Sequence, residues 1–241
     1  MKKTIQWSEK YRHELKYICD NTTLWYIENK LQRVMHYDPH ADQHGEYLIR
    51  SIYFDDNQYS CFFSNEDGMD PREKYRIRSY NYSSSRISLE KKKKKSNMTG
   101  KEICLIDKTT CLKMIHGQVR GFEFLGRSSL LDEWYTSHRT SQLKPLMMSE
   151  YLRRPLVFWP GNVRITFDRN ICASKQFDRF FNKELSRIAV LPSGYHILEV
   201  KYDDFLPDVI YQLIEDTHMI QTTFSKFYLG CKALEGNVYE L

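Results

Sequence analysis

Five short segments carry charged residues two positions apart: Lys74, Arg76 and Arg78; Glu90, Lys92 and Lys94; Arg164, Thr166 and Asp168; Glu199 and Lys201; and Glu14 and Lys16. In an extended chain, residues at i and i+2 share one face. The alternate positions are mostly apolar, among them Tyr75, Ile77, Leu89, Ile165, Phe167, Leu198 and Val200. An arginine fork donates two hydrogen bonds to two phosphate oxygens, and lysine adds a mobile point charge. The interspersed carboxylates are hard oxygen donors, the type that binds a divalent metal beside phosphates. Such a set suits phosphoryl transfer, which needs mainly positioning, charge neutralisation and a metal ion.

Two arrangements produce this alternation. The charged faces are either the solvent faces of a half-buried sheet, the ordinary outcome for any one strand, or the inner lining of a closed barrel. The charges are mostly cationic, and cationic faces on several strands repel one another unless an anion lies between them. That favours the barrel.

The elements that must position these residues follow from pattern. Strands are expected at 11–19, 46–55, 73–80, 86–94, 101–106, 146–159, 163–171 and 196–202. A helix is expected after Asn21 and Thr22, which offer capping side chains, with Leu24, Ile27, Leu31 and Val34 at helical spacing. A short helix is expected near 59–64, broken helix over 109–142, and a helix over 207–218 with Pro207 in its first turn. Turns are expected at 69–72, 81–85, 96–100 and Pro160-Gly161. Strands in succession separated by turns argue for an α+β fold built on a closed antiparallel barrel of about eight strands with peripheral helices.

Bulk composition sets limits. The chain has 241 residues, 41% hydrophobic content and a net charge of +5. It reads as a single domain over 1–241. The modest charge means that a polyanion site must come from clustering. The six cysteines form no C-x-x-C pair, so they read as reduced thiols of a cytoplasmic protein rather than a zinc site. Met1–Tyr11 is polar, without the apolar stretch of a signal peptide, and no run of about 18 apolar residues exists.

Eight segments in order carry a resemblance: RHELKY (12–17), SIYFD (51–55), KYRIRSY (74–80), SLEKK (88–92), YLRRPL (151–156), VRITFD (163–168), ILEVKYD (197–203) and FSKF (224–227). Together they resemble the VTC domain, the polyphosphate polymerase domain of the vacuolar transporter chaperone family, within the triphosphate tunnel metalloenzyme superfamily. The resemblance implies that Lys16, Arg76, Arg78, Lys92, Arg153, Arg164 and Lys226 grip the phosphates of a nucleotide or a polyphosphate chain. Lys74 and Lys201 join them by sharing a strand face with matched residues. It implies Glu199 as the ligand of a divalent metal, manganese or magnesium. Glu14-Leu15-Lys16 is similar to the E-x-K motif of the wider superfamily, which makes Glu14 a second metal ligand. Glu90 stands equally as a metal ligand or as a salt-bridge partner, and Asp168 as a tunnel carboxylate or a partner for Arg164.

The implied reaction transfers the γ-phosphate of ATP onto growing polyphosphate, with Lys92, Arg76, Arg78 and Glu199 at the reacting centre. An inorganic triphosphatase or nucleoside triphosphatase in the same tunnel is the alternative, and a non-catalytic polyphosphate-binding subunit is a third. The run Lys91–Lys95 also suits nucleic acid, but strand alternation turns only Lys92 and Lys94 inward, so no nucleic-acid partner is expected. A membrane-protein partner is expected to recruit the chain to the cytoplasmic face of a membrane. A tunnel open at both ends would favour chain growth, and a plugged one hydrolysis.

Overall fold

The computed structural model describes residues 8–96, 98–119, 126, 128–215 and 219–236. The chain runs β1 (Ser8–Asp20), α1 (Asn21–Leu31), β2 (His36–Tyr37), β3 (Tyr47–Asp55), α2 (Ser60–Glu66), β4 (Arg72–Tyr80), β5 (Ser83–Lys95), β6 (Met98–Ile106), α3 (Lys108–Ile115) and α4 (Ser129–Ser141). It continues through β7 (Lys144–Phe158), β8 (Val163–Ser174), β9 (Ile188–Ala189), β10 (Tyr195–Tyr202), α5 (Asp208–Glu215), β11 (Ile220–Gln221) and α6 (Lys226–Leu234). Part of the region expected to be broken helix, at 120–125 and 127, lies outside the described residues, as does the expected helix end at 216–218.

Local sequence explains the boundaries. Asp20, rather than Asn21 or Thr22, caps α1: its carboxylate accepts the Thr23 N–H at 2.7 Å. Asp107 and Ser128 cap α3 and α4 in the same way. The β4–β5 connection is tighter than the expected 81–85. Asn81 and Tyr82 alone make the turn, with φ of 50° and 59°, and Tyr80 pairs directly with Ser83. Two successive positive φ values give the turn the twist that antiparallel strands require.

Eight strands hydrogen-bond in the order β7-β3-β4-β5-β6-β1-β10-β8, and β8 returns to β7, so the sheet closes on itself. Every neighbouring pair is antiparallel. The short strands β2, β9 and β11 attach to β7, β8 and β1.

Closure decides between the two readings of the alternating strands. Tyr75, Ile77, Leu89, Ile52 and Phe54 point outward into a core completed by α3 and α4, with Trp134 fully buried. Leu198, Val200, Ile165 and Phe167 point outward against α1 and α5. The apolar faces are thus covered by helices, and the charged faces line the barrel. A closed barrel of about eight strands encloses just enough room for packed side chains or one small ligand.

One helix departs from the peripheral pattern. α6 packs on β7 and β8 in a core that includes Tyr53, Met147, Ala173 and Ile197 together with its own Phe227, Cys231 and Ala233. Tyr53 is the cross-strand partner of Arg76, and Ile197 of Asp168. They share the inward face, so α6 sits against the inner wall at one end of the barrel. Gly230 permits this approach: a Cβ there would lie 2.6 Å from Met147 Cε.

Trp134→Ala, on the outer side of the wall, is expected to cost about 3–5 kcal/mol in urea unfolding while leaving anion affinity unchanged. An equal loss of anion binding would show that the two sides of the wall are not independent.

Candidate functional site: a cationic tunnel with paired carboxylates

Cross-strand register builds the site. Arg153 lies opposite Asp168, Glu199 opposite Lys16 and Thr166, Glu14 opposite Lys201, Lys74 opposite Lys92, Arg76 opposite Glu90, and Lys201 opposite Arg164. Directly opposed residues in a ladder have adjacent side chains. The strand-borne cations and carboxylates singled out in the sequence are therefore on one continuous inner face, and Lys226, the first residue of α6, reaches that face by pairing with Asp168.

Within it the groups sort into clusters. Arg76 donates from Nε and Nη2 to Glu90 Oε2 at 2.8 and 2.6 Å. Arg78 bonds Ser51 Oγ at 3.2 Å and Tyr151 Oη at 3.3 Å, and its Nη1 lies 4.0 Å from Glu90. Glu90 also accepts from Ser88. It thus fixes the two arginines that the motif put at the reacting centre, and its carboxyl is held below the ordinary range because Arg76 and Arg78 outweigh the effect of burial.

A second cluster joins Arg153, Lys226 and Asp168. Arg153 grips Asp168 with two bonds of 2.7 Å, and Lys226 Nζ lies 2.6 Å from Asp168 Oδ2. The partner of Asp168 is thus Arg153 across the ladder, not Arg164. Arg164 sits toward the opposite end of the barrel from α6, bonded to Tyr47 Oη at 2.9 Å and paired with Asp38 at 2.6 Å.

The third cluster holds the paired carboxylates. Lys92 bonds both Glu14 oxygens at 3.0 Å, and Lys16 lies 3.1 Å from Glu14. Lys201 lies 3.2 Å from Glu199 Oε1 and 3.8 Å from Glu14 Oε2, and Arg153 lies 3.2 Å from Glu199 Oε2. Burial raises both carboxyl pKa values, but Lys92, Lys16 and Lys201 pull Glu14 well below its usual value, and Lys201 and Arg153 lower Glu199. Both are therefore ionised at neutral pH.

These two diagonal neighbours suit a hard divalent cation such as Mg²⁺ or Mn²⁺. Such an ion commonly binds one or two carboxylates and completes its shell with phosphate oxygens and water. No group of three or more acidic, His or Cys side chains is assembled among the described residues, so the remaining ligands would be phosphate oxygens and water.

Cations outnumber carboxylates in this lining. Lys101, on β6 opposite Lys92, belongs to it and was not picked from the sequence, because it stands alone beside Gly100 without the i, i+2 signature. Lys74 has no carboxylate partner among the described residues; its Nζ donates to Ser225 Oγ at 3.3 Å and lies over the Phe227 ring, 5.5 Å from its centroid. Burial, and then the charges of Lys92 and Lys16, drive its pKa well down. Burial likewise pulls Lys92 down to about 7, against the pull of Glu14, and Lys101 to about 8, against Glu90.

The sign of the pH effect follows. With Lys92 at about 7 and Lys101 at about 8, part of their charge is absent at pH 8, and a polyanion in the lining would favour their protonated forms. The terminal group of such a ligand, inorganic triphosphate for example, has largely lost its last proton by then, with a phosphate pKa of about 6. Binding of triphosphate at pH 8 is therefore expected to take up protons, and affinity to fall as pH rises from 7 to 9. Calorimetry in buffers of different ionisation enthalpy measures this; proton release would contradict it.

Among solved structures, the chain is similar to an adenylate cyclase candidate from Bacillus halodurans, with 11% identity, coverage of 90% of this chain and 94% of that one, and a TM-score of 0.54. It also matches a Pyrococcus horikoshii protein at 14% identity, covering 91% and 97%, with a TM-score of 0.47. At such identities the first likeness establishes the fold alone. No curated protein matches. The profile of the VTC domain family matches residues 11–235, nearly the whole chain and every strand of the barrel. The chain belongs to the VTC domain family.

Proposed function

We propose that this chain is a metal-dependent polyphosphate polymerase that transfers the γ-phosphoryl group of ATP onto inorganic polyphosphate inside the barrel. The observation that carries this reading is the buried cationic excess, with Lys74 turned inward beside Lys16 and Lys92 and given no counter-charge among the described residues. Such a lining is stabilised by a multivalent anion threaded through it. Membership of the VTC domain family supports polyphosphate as that anion, through the resemblance set out above.

In this reading Arg76 and Arg78, held by Glu90, Ser51 and Tyr151, grip the transferred phosphoryl group. Lys92, Lys74 and Lys16 neutralise the oxygens around it. Glu14 and Glu199 hold the divalent ion, which when bound neutralises charge on the phosphate oxygens. A terminal oxygen of the polyphosphate forms a bond to the γ-phosphorus as the bond from that phosphorus to the ADP oxygen breaks. The chain lengthens by one unit and ADP leaves. Arg153, Lys226, Lys201 and Arg164 provide further phosphate contacts along the lining. All six cysteines are free, in keeping with a reducing, cytoplasmic setting. No described helix is long and apolar enough to cross a membrane; recruitment to one rests with a membrane-protein partner.

One observation favours a second reading. α6 packs against the inner wall at one end of the barrel, and an end narrowed by a helix suits hydrolysis of a triphosphate better than growth of a chain.

Incubation of the purified protein with ATP and Mn²⁺ separates the readings. Long polyphosphate with ADP is expected. Free phosphate alone would assign a triphosphatase, and neither product together with tight polyphosphate binding would leave only a binding subunit. Glu199→Gln is expected to lower turnover at least about a hundredfold, since it removes a metal ligand outright, while anion binding persists. Unchanged turnover would remove Glu199 from the mechanism.

A further inference from the structure

At the end of the barrel away from α6, an acid from outside the eight barrel strands holds a cation of the lining. Arg164 Nη2, on β8, lies 2.6 Å from Asp38 Oδ2 and donates to Tyr47 Oη at 2.9 Å. Asp38 follows β2, which pairs with Leu156 and Val157 of β7 and so continues the wall beyond Tyr47, where β3 begins. Val157 is flanked by His36 of β2 on one side and by Arg164 of β8 on the other. Asp38 therefore reaches Arg164 across β7.

The segment around Asp38 fixes its carboxylate in place. The Asp38 N–H donates to Pro155 O at 3.2 Å. Asp38 Oδ1 accepts the His40 N–H at 2.8 Å and lies 2.9 Å from His40 Nδ1. Downstream, Asp42 closes the loop by accepting the N–H groups of His44 and Glu46 at 2.9 and 3.0 Å. The Asp38 side chain is only 6% exposed, whereas that of Arg164 is 31% exposed. Burial raises the Asp38 pKa, but the His40 N–H and Arg164 outweigh it, so the group is ionised at neutral pH.

This pair differs from those deeper in the barrel. Glu14, Glu90, Asp168 and Glu199 are each shared among two or more cations of the lining. The lining cation that Asp38 meets is Arg164, and a carboxylate bound to an arginine fork competes directly with phosphate for its N–H donors. Arg164 also stands apart along the barrel. It is four residues from Asp168 on β8, about 13 Å at the rise of a strand. An anion must run along much of the lining to meet it.

We infer that Asp38 is a specificity-determining residue of the tunnel: by holding Arg164 it sets how far a phosphate chain extends, and only a chain long enough to reach the far mouth takes the guanidinium from it. A triphosphate held at Arg76, Arg78 and Lys92 leaves the pair intact. The inference rests on the phosphate-binding reading above and deepens it. α6 narrows one end of the barrel, Asp38 guards the other, and growth of a chain beyond a few units requires the release of Arg164.

The test compares inorganic triphosphate with long-chain polyphosphate, each with Mg²⁺, on wild type and on Asp38→Asn, whose amide oxygen still accepts the His40 N–H. The readout is the ratio of the two affinities. Asp38→Asn is expected to raise it about tenfold in favour of the long chain, the order of one hydrogen bond to a charged group. Adding Arg164→Gln to that variant is expected to abolish the gain. An unchanged ratio in Asp38→Asn, or a gain that persists without Arg164, would overturn the role of Asp38 alone. Binding of neither ligand by wild type would overturn the tunnel reading and this inference with it. Hydrogen exchange on wild type gives a check that needs no variant. Long-chain polyphosphate is expected to speed exchange within 38–46 and triphosphate to leave it unchanged; no change with the long chain would overturn the inference.

Discussion

Like charge crowded inside a closed wall is the constraint on which the rest of this molecule depends. Two unit charges 4 Å apart at an effective dielectric constant near 20 repel by about 4 kcal/mol. The barrel turns Lys16, Lys74, Arg76, Arg78, Lys92, Lys101, Arg153, Lys201 and Lys226 toward one another and gives them Glu14, Glu90, Asp168 and Glu199 as counter-charges. Each carboxylate is shared. Glu90 serves Arg76 and Arg78, Asp168 serves Arg153 and Lys226, and Glu14 serves Lys16, Lys92 and Lys201. For what remains, burial lowers the pKa of Lys74, Lys92 and Lys101, and in the proposed function a bound anion offsets the excess.

Only a stiff scaffold can hold such a set. The wall obtains its stiffness from the outside, where helices cover the apolar faces of the strands in two separate cores. Further pins tie loops to the outer wall. Arg50, fully buried, bonds Glu150 at 2.6 Å and the carbonyls of Arg179 and Phe180. Burying a charge is tolerable there because its partners are fixed and numerous. The division is consistent: carboxylates outside the barrel clamp the shell, and carboxylates inside hold the cations of the lining.

The sequence carried much of this and omitted specific parts. Alternation along 73–80, 86–94, 163–171 and 196–202 exposed the charged faces because the strand period is two. Alternation cannot say whether a charged face meets water or the opposite wall, since that depends on closure between β7 and β8, strands that also carry a bulge in their pairing. Lys101 escaped because its place follows from the register of β5 with β6, which begins at the tight Lys95–Met98 pair. Asp168 stood either as a tunnel carboxylate or as a partner for Arg164 on the same strand face; it is on the inner face, and its ladder partner, Arg153, lies on a different strand that sequence spacing could not name. α6 was not read from the sequence, where 224–227 entered only as a matching segment, and an apolar stripe such as Phe227 and Cys231 does not reveal on which side of a wall a helix lies.

The central claim is that a phosphate chain lies on the inner face of the barrel. A crystal structure with Mn²⁺ and a non-hydrolysable ATP analogue tests it most directly. The account predicts phosphates within hydrogen-bond reach of Arg76, Arg78 and Lys92, and an anomalous manganese signal between Glu14 and Glu199. Phosphates bound to the outer-face lysines Lys91, Lys93 and Lys95, with no ligand inside the barrel, would contradict it.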